Sequence, residues 1–120
     1  MSPRGTQVYI VNNSGHRYDL ALELFPDATL ISMTRGNINP THVDRHTFNL
    51  NEHIARSLES DYLLLSGHPT LNTLAGMLWI LRHEVCQMLI FDAKTQEYVR
   101  QIVSRDNMRR MIDANLFNQG

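Results

Sequence analysis

The tripeptide Ser-Gly-His occurs twice in this sequence, each time after a run of apolar residues. Ser14-Gly15-His16 follows the run Val8–Val11, and Ser66-Gly67-His68 follows the run Tyr62–Leu65. Glycine admits positive φ and lets the backbone approach a ligand closely. Serine hydroxyls and backbone N–H groups bind phosphate or ribose oxygens, and a histidine donates to an anion or stacks on a base. The two turns are therefore candidates for binding a small anionic ligand.

The second turn leads into a helical pattern that runs from Leu71 to His83. A helix that begins at the carboxyl end of a strand offers unpaired N–H groups and a positive dipole end, which together attract anions. One alternative stays open for both turns. Each turn then only caps its helix, with Ser14 and Thr70 bonding first-turn N–H groups.

Strand and helix patterns alternate along the chain, and their order indicates where the two turns lie in the fold. Apolar runs predict strands over residues 7–11, 29–33, 62–65, 85–91 and 96–103, and a 3.6-residue period predicts helices over residues 18–25, from Asn49 or Asn51 to Leu58, 71–83 and 104–117. The order βαβαβαββα predicts an α/β fold with a small, open, three-layer and mainly parallel sheet, Rossmann- or flavodoxin-like. Right-handed crossovers favour the strand order 2-1-3-4-5, with strand 5 antiparallel. The chain reverses direction between strands 1 and 3, where such sheets bind ligands, so both turns should meet there.

Length and composition limit the classes of function. The 120 residues predict a single domain, with a core over residues 7–103 and a C-terminal helix over residues 104–117. The net charge of −1 gives no reason to expect a nucleic-acid polymer as partner. The single Cys86 excludes an intramolecular disulfide. No apolar signal region or membrane-length segment is present, so a cytoplasmic protein without a membrane partner is expected.

Arginine dominates the positive charges, with ten arginines and one lysine, and arginine suits bidentate contacts to phosphate and carboxylate. Arg35 follows the second strand at the same sheet edge as the turns, so it is a candidate clamp for such a group. The alternative is an exposed loop arginine. The polar connection Thr34–Thr47 after it is long enough to be a functional or mobile loop.

Metal binding and hydrolysis are weaker interpretations. His42, Asp44 and His46 share a face if their segment is extended, as zinc ligands would, but no further ligand follows at a recognisable spacing. A hydrolase would use His16 or His68 to activate a serine of the other turn. The G-x-S-x-G motif is absent and no carboxylate is clearly placed as a partner. Phosphate-binding glycine fingerprints are absent too, so no cofactor is predicted.

Two segments are candidates for self-association, which makes a homo-oligomer the expected state. The terminal helix over residues 104–117 is amphipathic and is predicted to turn Met108, Met111, Ile112 and Leu116 inward. A stripe on the preceding helix, Asn72, Gly76, Trp79 and His83, is either a contact face or a second buried face.

The stretch Val8–Tyr18, VYIVNNSGHRY, resembles the opening of a group of small phage proteins that begin with a strand and an N-x-S-G-H-x-Y turn. The resemblance continues through Leu30–Gly36 and Asp61–Asn72, where a DY-I/L-L-L strand leads into a helix that carries an asparagine. Small phage α/β proteins include sponges for nucleotide immune signals, such as the Thoeris anti-defence proteins. The resemblance thus implies a phage-encoded binder of a cyclic nucleotide or an ADP-ribose-derived messenger.

The sequence therefore predicts a non-catalytic protein of the host-cell cytoplasm that sequesters a small phosphorylated nucleotide and so counteracts host defence. The alternative is a small hydrolase of a nucleotide-like or phosphorylated substrate. The predicted ligand-binding residues come from both turns, their flanks and the loop after strand 2: Asn12, Asn13, Ser14, Gly15, His16, Arg35, Ser66, Gly67, His68, Thr70 and Asn72.

Overall fold

A five-stranded sheet lies at the centre of the computed structural model, which describes residues 4–118. Its strands are β1 (Gln7–Ile10), β2 (Thr29–Ser32), β3 (Tyr62–Leu64), β4 (Val85–Asp92) and β5 (Glu97–Ser104). The strand order is β2-β1-β3-β4-β5; neighbours among the first four are parallel, and β5 is antiparallel to β4. The predicted α/β fold and strand order are confirmed.

The two faces of the sheet carry different layers because successive side chains of a strand point to opposite faces. The α-helices are α1 (Val43–Ile54), α2 (Pro69–Arg82) and α3 (Arg105–Asn118). On one face, Tyr9, Val11 and Leu63 form a core with apolar side chains of α1 and α2. On the other face, Val8, Ile10 and Leu64 pack with a short 3₁₀ helix over Tyr18–Glu23. Within residues 4–118, no helix has the length and apolar character to cross a membrane.

Two predicted helices differ from the structure. The segment after β1 forms six residues of 3₁₀ helix rather than an α-helix to Phe25, and its end is set by a Leu24 N–H bond to the Ala21 carbonyl, three residues back. The helix expected to begin near Asn49 or Asn51 begins at Val43. Its buried face includes His46, whose Nε2 lies 2.7 Å from the Asn39 carbonyl oxygen. The 3.6-residue period of apolar residues does not reveal the first turns of this helix, because the residue buried there is polar.

Trp79 belongs to the core rather than to a contact face. It is fully buried, its ring meets Tyr9 edge-on at 5.8 Å, and its indole N–H donates to the Val85 carbonyl at 3.2 Å. The structure therefore supports the buried-face interpretation of its stripe. The prediction for α3 is wrong. Met108, Met111 and Ile112 are expected to point inward but are exposed in the structure. The Leu116 side chain lies outside the described part of the chain.

His83 is the C-cap residue of α2, and its burial predicts a pH dependence of the stability of the fold. Its Nε2 lies 2.8 Å from Oγ of the buried Ser57, and burial holds the pKa of His83 below its ordinary value. The unfolded chain therefore takes up this proton first as the pH falls. We expect the free energy of unfolding to decline as the pH drops below about 6.5, and the His83→Gln variant to lose this part of the decline in urea titrations. An unchanged pH profile in that variant would exclude His83 as its source.

Candidate functional site

The two Ser-Gly-His turns lie side by side, and the hydroxyl of Tyr18 joins them. This oxygen lies 2.7 Å from Ser66 Oγ and 3.1 Å from Ser14 Oγ, accepts a hydrogen bond from the Ser14 N–H at 3.0 Å, and donates to the Asn12 carbonyl at 3.2 Å. Burial alone would raise the pKa of Tyr18, but the bonds from Ser14 and Ser66 lower it overall. The predicted strand order therefore brings both turns to one point, and a buried tyrosine connects them.

Gly67 packs directly against the first turn. Its φ is +84°, and a Cβ atom at this position would lie 2.7 Å from Asn12 Cβ. Asn12 cannot easily move, because its Oδ1 accepts from Thr34 Oγ1 at 2.8 Å and its Nδ2 donates to the Gly36 carbonyl at 3.1 Å. The second turn therefore requires glycine for its backbone conformation and for its contact with the first turn.

A cleft of about 500 Å³ opens beside the joined turns. One wall is the first turn and the start of the 3₁₀ helix, another is the β3–α2 loop, and the third is the β4–β5 hairpin. The lining residues are His16, Arg17, Tyr18, Leu20, Leu65, Ser66, Gly67, Phe91, Gln96 and Tyr98. Phe91 is 40% exposed and meets the Tyr98 ring edge-on at 5.3 Å, so an aromatic surface faces the cleft.

The β3–α2 loop is held in place by the side chains of His68 and Asn72. The Asn72 Oδ1 accepts the Ser66 N–H at 3.0 Å, and its Nδ2 donates to the Gly67 and His68 carbonyls. His68 caps α2, since its Nδ1 accepts the Thr70 N–H at 3.1 Å. Among residues 4–118, no hydrogen bond is donated by the Gly67 and His68 N–H groups. These donors remain available at the start of α2.

The alternative in which each turn caps its helix holds in part for the second turn, where His68 rather than Thr70 provides the cap of α2. In the first turn, the Ser14 hydroxyl bonds to Tyr18 rather than to a first-turn N–H.

The structure brings some of the predicted residues into the cleft and gives others a supporting position. His16, Ser66 and Gly67 line the cleft. Ser14 is not part of the lining, but its hydroxyl bonds to that of Tyr18, which is. Asn13 instead shapes the first turn, because its Oδ1 accepts the Gly15 N–H at 3.1 Å.

Arg35 lies outside the cleft. It lines a separate hollow of about 330 Å³ together with the α1 residues His46, Glu52 and His53. That hollow belongs to the sheet face covered by α1, whereas the cleft opens on the face of the 3₁₀ helix.

Tyr18, Phe91, Gln96 and Tyr98 were not predicted as part of the site. Tyr18 stands within the quoted N-x-S-G-H-x-Y turn, and Phe91 ends the predicted strand beside strand 3. The position of Phe91 at the same carboxyl edge of the parallel strands could therefore have identified it as a site residue. Tyr98 could then have been identified as its cross-strand pair in the hairpin.

The His42, Asp44 and His46 segment does not form the extended arrangement considered for a metal. Residues 43–54 are helical, and the His46 ring is buried against the Asn39 carbonyl. Across the described chain from residue 4 to residue 118, no three or more His, Cys, Asp or Glu side chains are grouped to hold a metal ion.

Comparison with known proteins gives one positive result. The model of a family described as phage Pam3 gp32-like protein matches residues 6–104, which include all five strands and every residue of the cleft. No curated protein and no solved structure matches the chain.

Proposed function

The chain belongs to the phage Pam3 gp32-like family, and we propose that it binds and sequesters a small phosphorylated nucleotide. The observation that carries the proposal is the Tyr18 hydroxyl, which joins both Ser-Gly-His turns at the wall of the 500 Å³ cleft. That volume is within the range of small-molecule sites, and the position between β1 and β3 is where open α/β sheets bind ligands.

The phosphate end of the ligand is expected at the β3–α2 loop. The Gly67 and His68 N–H groups have no acceptor among residues 4–118, and they precede a helix of 14 residues whose dipole favours an anion. The Ser66 hydroxyl lies in the same wall of the cleft. Backbone donors and a hydroxyl together suit phosphate oxygens.

The base is expected at the hairpin side of the cleft. Phe91 offers an exposed ring, and His16 lies on the opposite turn with its own ring edge-on to Tyr18 at 6.1 Å. Nucleobases stack on such rings whatever their hydrogen-bonding pattern.

The hydrogen bonds favour binding over hydrolysis. Both serine hydroxyls bond to Tyr18 rather than to a histidine, and the Nδ1 atom of His68 accepts the Thr70 N–H. A serine nucleophile needs a base within hydrogen-bond reach. A phage-encoded binder of this kind would lower the free concentration of a host nucleotide messenger by mass action, and so counteract defence in the host cytoplasm.

The proposal is tested by calorimetry of the purified protein with cyclic dinucleotides, cyclic ADP-ribose and inorganic phosphate. We expect saturable binding of at least one of the nucleotides, and recovery of that ligand intact by mass spectrometry after the protein is denatured. Conversion to a product that stops in the His16→Ala or His68→Ala variant would instead establish the hydrolase. Absence of binding across the panel would contradict the proposal.

Phe91→Ala is expected to weaken nucleotide binding about tenfold, because it removes the stacking surface for one base. Phe48→Ala is the matched control, since Phe48 is 66% exposed on α1 and lies outside the cleft. Calorimetric titrations of both variants should show a loss for Phe91 alone. Equal affinities would place the base elsewhere.

A further inference from the structure

Exposed apolar side chains occur on α2, on the β4–β5 hairpin and on α3. Seven of them expose between 37% and 75% of their surface, and we call this set the outer apolar face: Met77, Leu81, Ile90, Val99, Met108, Met111 and Ile112. An apolar groove of about 300 Å³ runs through it between α2, the β4–β5 hairpin and α3, with Met77, Met88 and Met108 in its lining.

The α3 helix is attached to its own domain at its start, where Arg105 donates to the Ile80 carbonyl, and leaves later apolar side chains uncovered. Its apolar residues Met111 and Ile112 are more than half exposed. The radius of gyration is 15.5 Å, whereas a compact domain of this length has about 13–14 Å. An extended helix with an uncovered apolar side is the form expected of an element that packs on another chain.

The adjoining strand β5 is an unprotected edge. It pairs with β4 over eight consecutive residue pairs without a bulge, contains no proline, and has Arg100 as its only charge between Tyr98 and Ser104. Every second residue of such a strand directs its N–H and C=O away from its partner. Edges of this length and regularity are normally shortened, charged or covered, because they otherwise pair with another strand.

The area of the outer apolar face approaches the area that each partner of a dimer buries. From the exposed fractions of its seven side chains, the face amounts to roughly 600 Å², which is most of the ~800 Å² that each partner buries in a standard interface.

We propose that a second copy of this chain covers the outer apolar face, with the β5 strands of the two copies pairing antiparallel about a two-fold axis at Gln101. This register pairs residues 98–104 and sets Arg100 opposite the partner's Ile102, whereas an axis at Arg100 would oppose two like charges. It also sets Val103, two residues before α3, opposite the partner's Val99. Met111 and Ile112 of α3 then lie over the partner's Val99 and the partner's Ile90, whereas Met108 stays in the groove of its own chain.

Cross-linking tests the axis, because a disulfide requires Cα atoms closer than about 7 Å. Gln101→Cys should form a covalent dimer on mild oxidation, while Arg100→Cys should not, since the two copies of that residue are offset by two positions. The native Cys86 is buried and its burial raises the pKa of the thiol to about 12, so it does not compete.

Sedimentation velocity tests the apolar contact. The native protein should sediment as a dimer of twice 13.9 kDa, and the double variant Met111→Glu, Ile112→Glu should halve that mass while its circular dichroism spectrum stays the same. Phe48→Glu, an exposed apolar residue outside this face, should leave the dimer intact. A monomeric native protein, or cross-linking through position 100 rather than 101, would overturn the proposal.

Discussion

Replacing Gly67 with alanine is expected to lower the free energy of unfolding by about 3 kcal/mol, the largest loss that we predict for a single methyl group in this protein. The new Cβ atom would lie 2.7 Å from Asn12 Cβ, in a backbone conformation with φ of +84°. Asn12 is fixed by Thr34 and the Gly36 carbonyl, so relief of the contact must separate the two turns. Nucleotide binding should be lost with it, and urea titration followed by calorimetry measures both effects.

Gly15→Ala is the control for backbone strain. Gly15 also has positive φ, +91°, but no atom lies within 4 Å of the position of its Cβ. This variant should lose only the strain contribution, about 1 kcal/mol. The difference between the two variants then measures the contact between the turns, and equal losses would mean that this contact is not important for stability.

Tyr18→Phe is expected to lower the free energy of unfolding by about 2 kcal/mol and to weaken nucleotide binding at least tenfold. The change keeps the ring but removes the oxygen that serves the Ser14 N–H, the Asn12 carbonyl and the Ser66 hydroxyl. Two buried or half-buried backbone groups are then left without their partner, and the turns lose the bond that joins them. Denaturant unfolding and calorimetric titration measure the two losses.

Tyr98→Phe separates this role from general effects of the cleft. Tyr98 is buried in the same cleft, but its hydroxyl bonds to neither turn. Its removal should leave stability and affinity nearly unchanged. If both variants behave alike, Tyr18 does not join the turns in the way that the structure indicates.

The sequence was sufficient to predict the sheet and the meeting of the turns. Apolar runs such as Val8–Val11 and Tyr62–Leu65 predict buried strands, and right-handed crossovers favour the strand order that the structure has. Because β1 and β3 are neighbours, the residues after them meet whatever the details of the loops.

The parts that were missed depend on whether a side chain is buried, which residue type does not determine. The prediction from the sequence places His46 in the polar connection that ends at Thr47. In the structure its ring is buried with a hydrogen bond to the Asn39 carbonyl, and α1 begins at Val43, about two turns before the predicted start. The same prediction assigns Phe91 and Tyr98 only to strands, because an aromatic side chain is apolar in a core and in a cleft alike.

The orientation of α3 illustrates the same limit. An amphipathic period at Met108, Met111 and Ile112 indicates that one side of the helix is to be covered, but it does not say by which chain. The prediction from the sequence assigns this side of the helix to the protein's own core, whereas in the structure these side chains are exposed.

The glycine amides offer the most direct test of the claim that both Ser-Gly-His turns bind one nucleotide. In a ¹⁵N–¹H titration of the native protein with the cyclic dinucleotides and cyclic ADP-ribose, we expect the Gly15 and Gly67 amide signals to shift together and saturate at the same ligand concentration. The Gly5 and Gly76 amides, which lie outside the cleft, should stay in place. Shifts at Gly76 without Gly67, or no shift at either turn with any nucleotide, would contradict the claim.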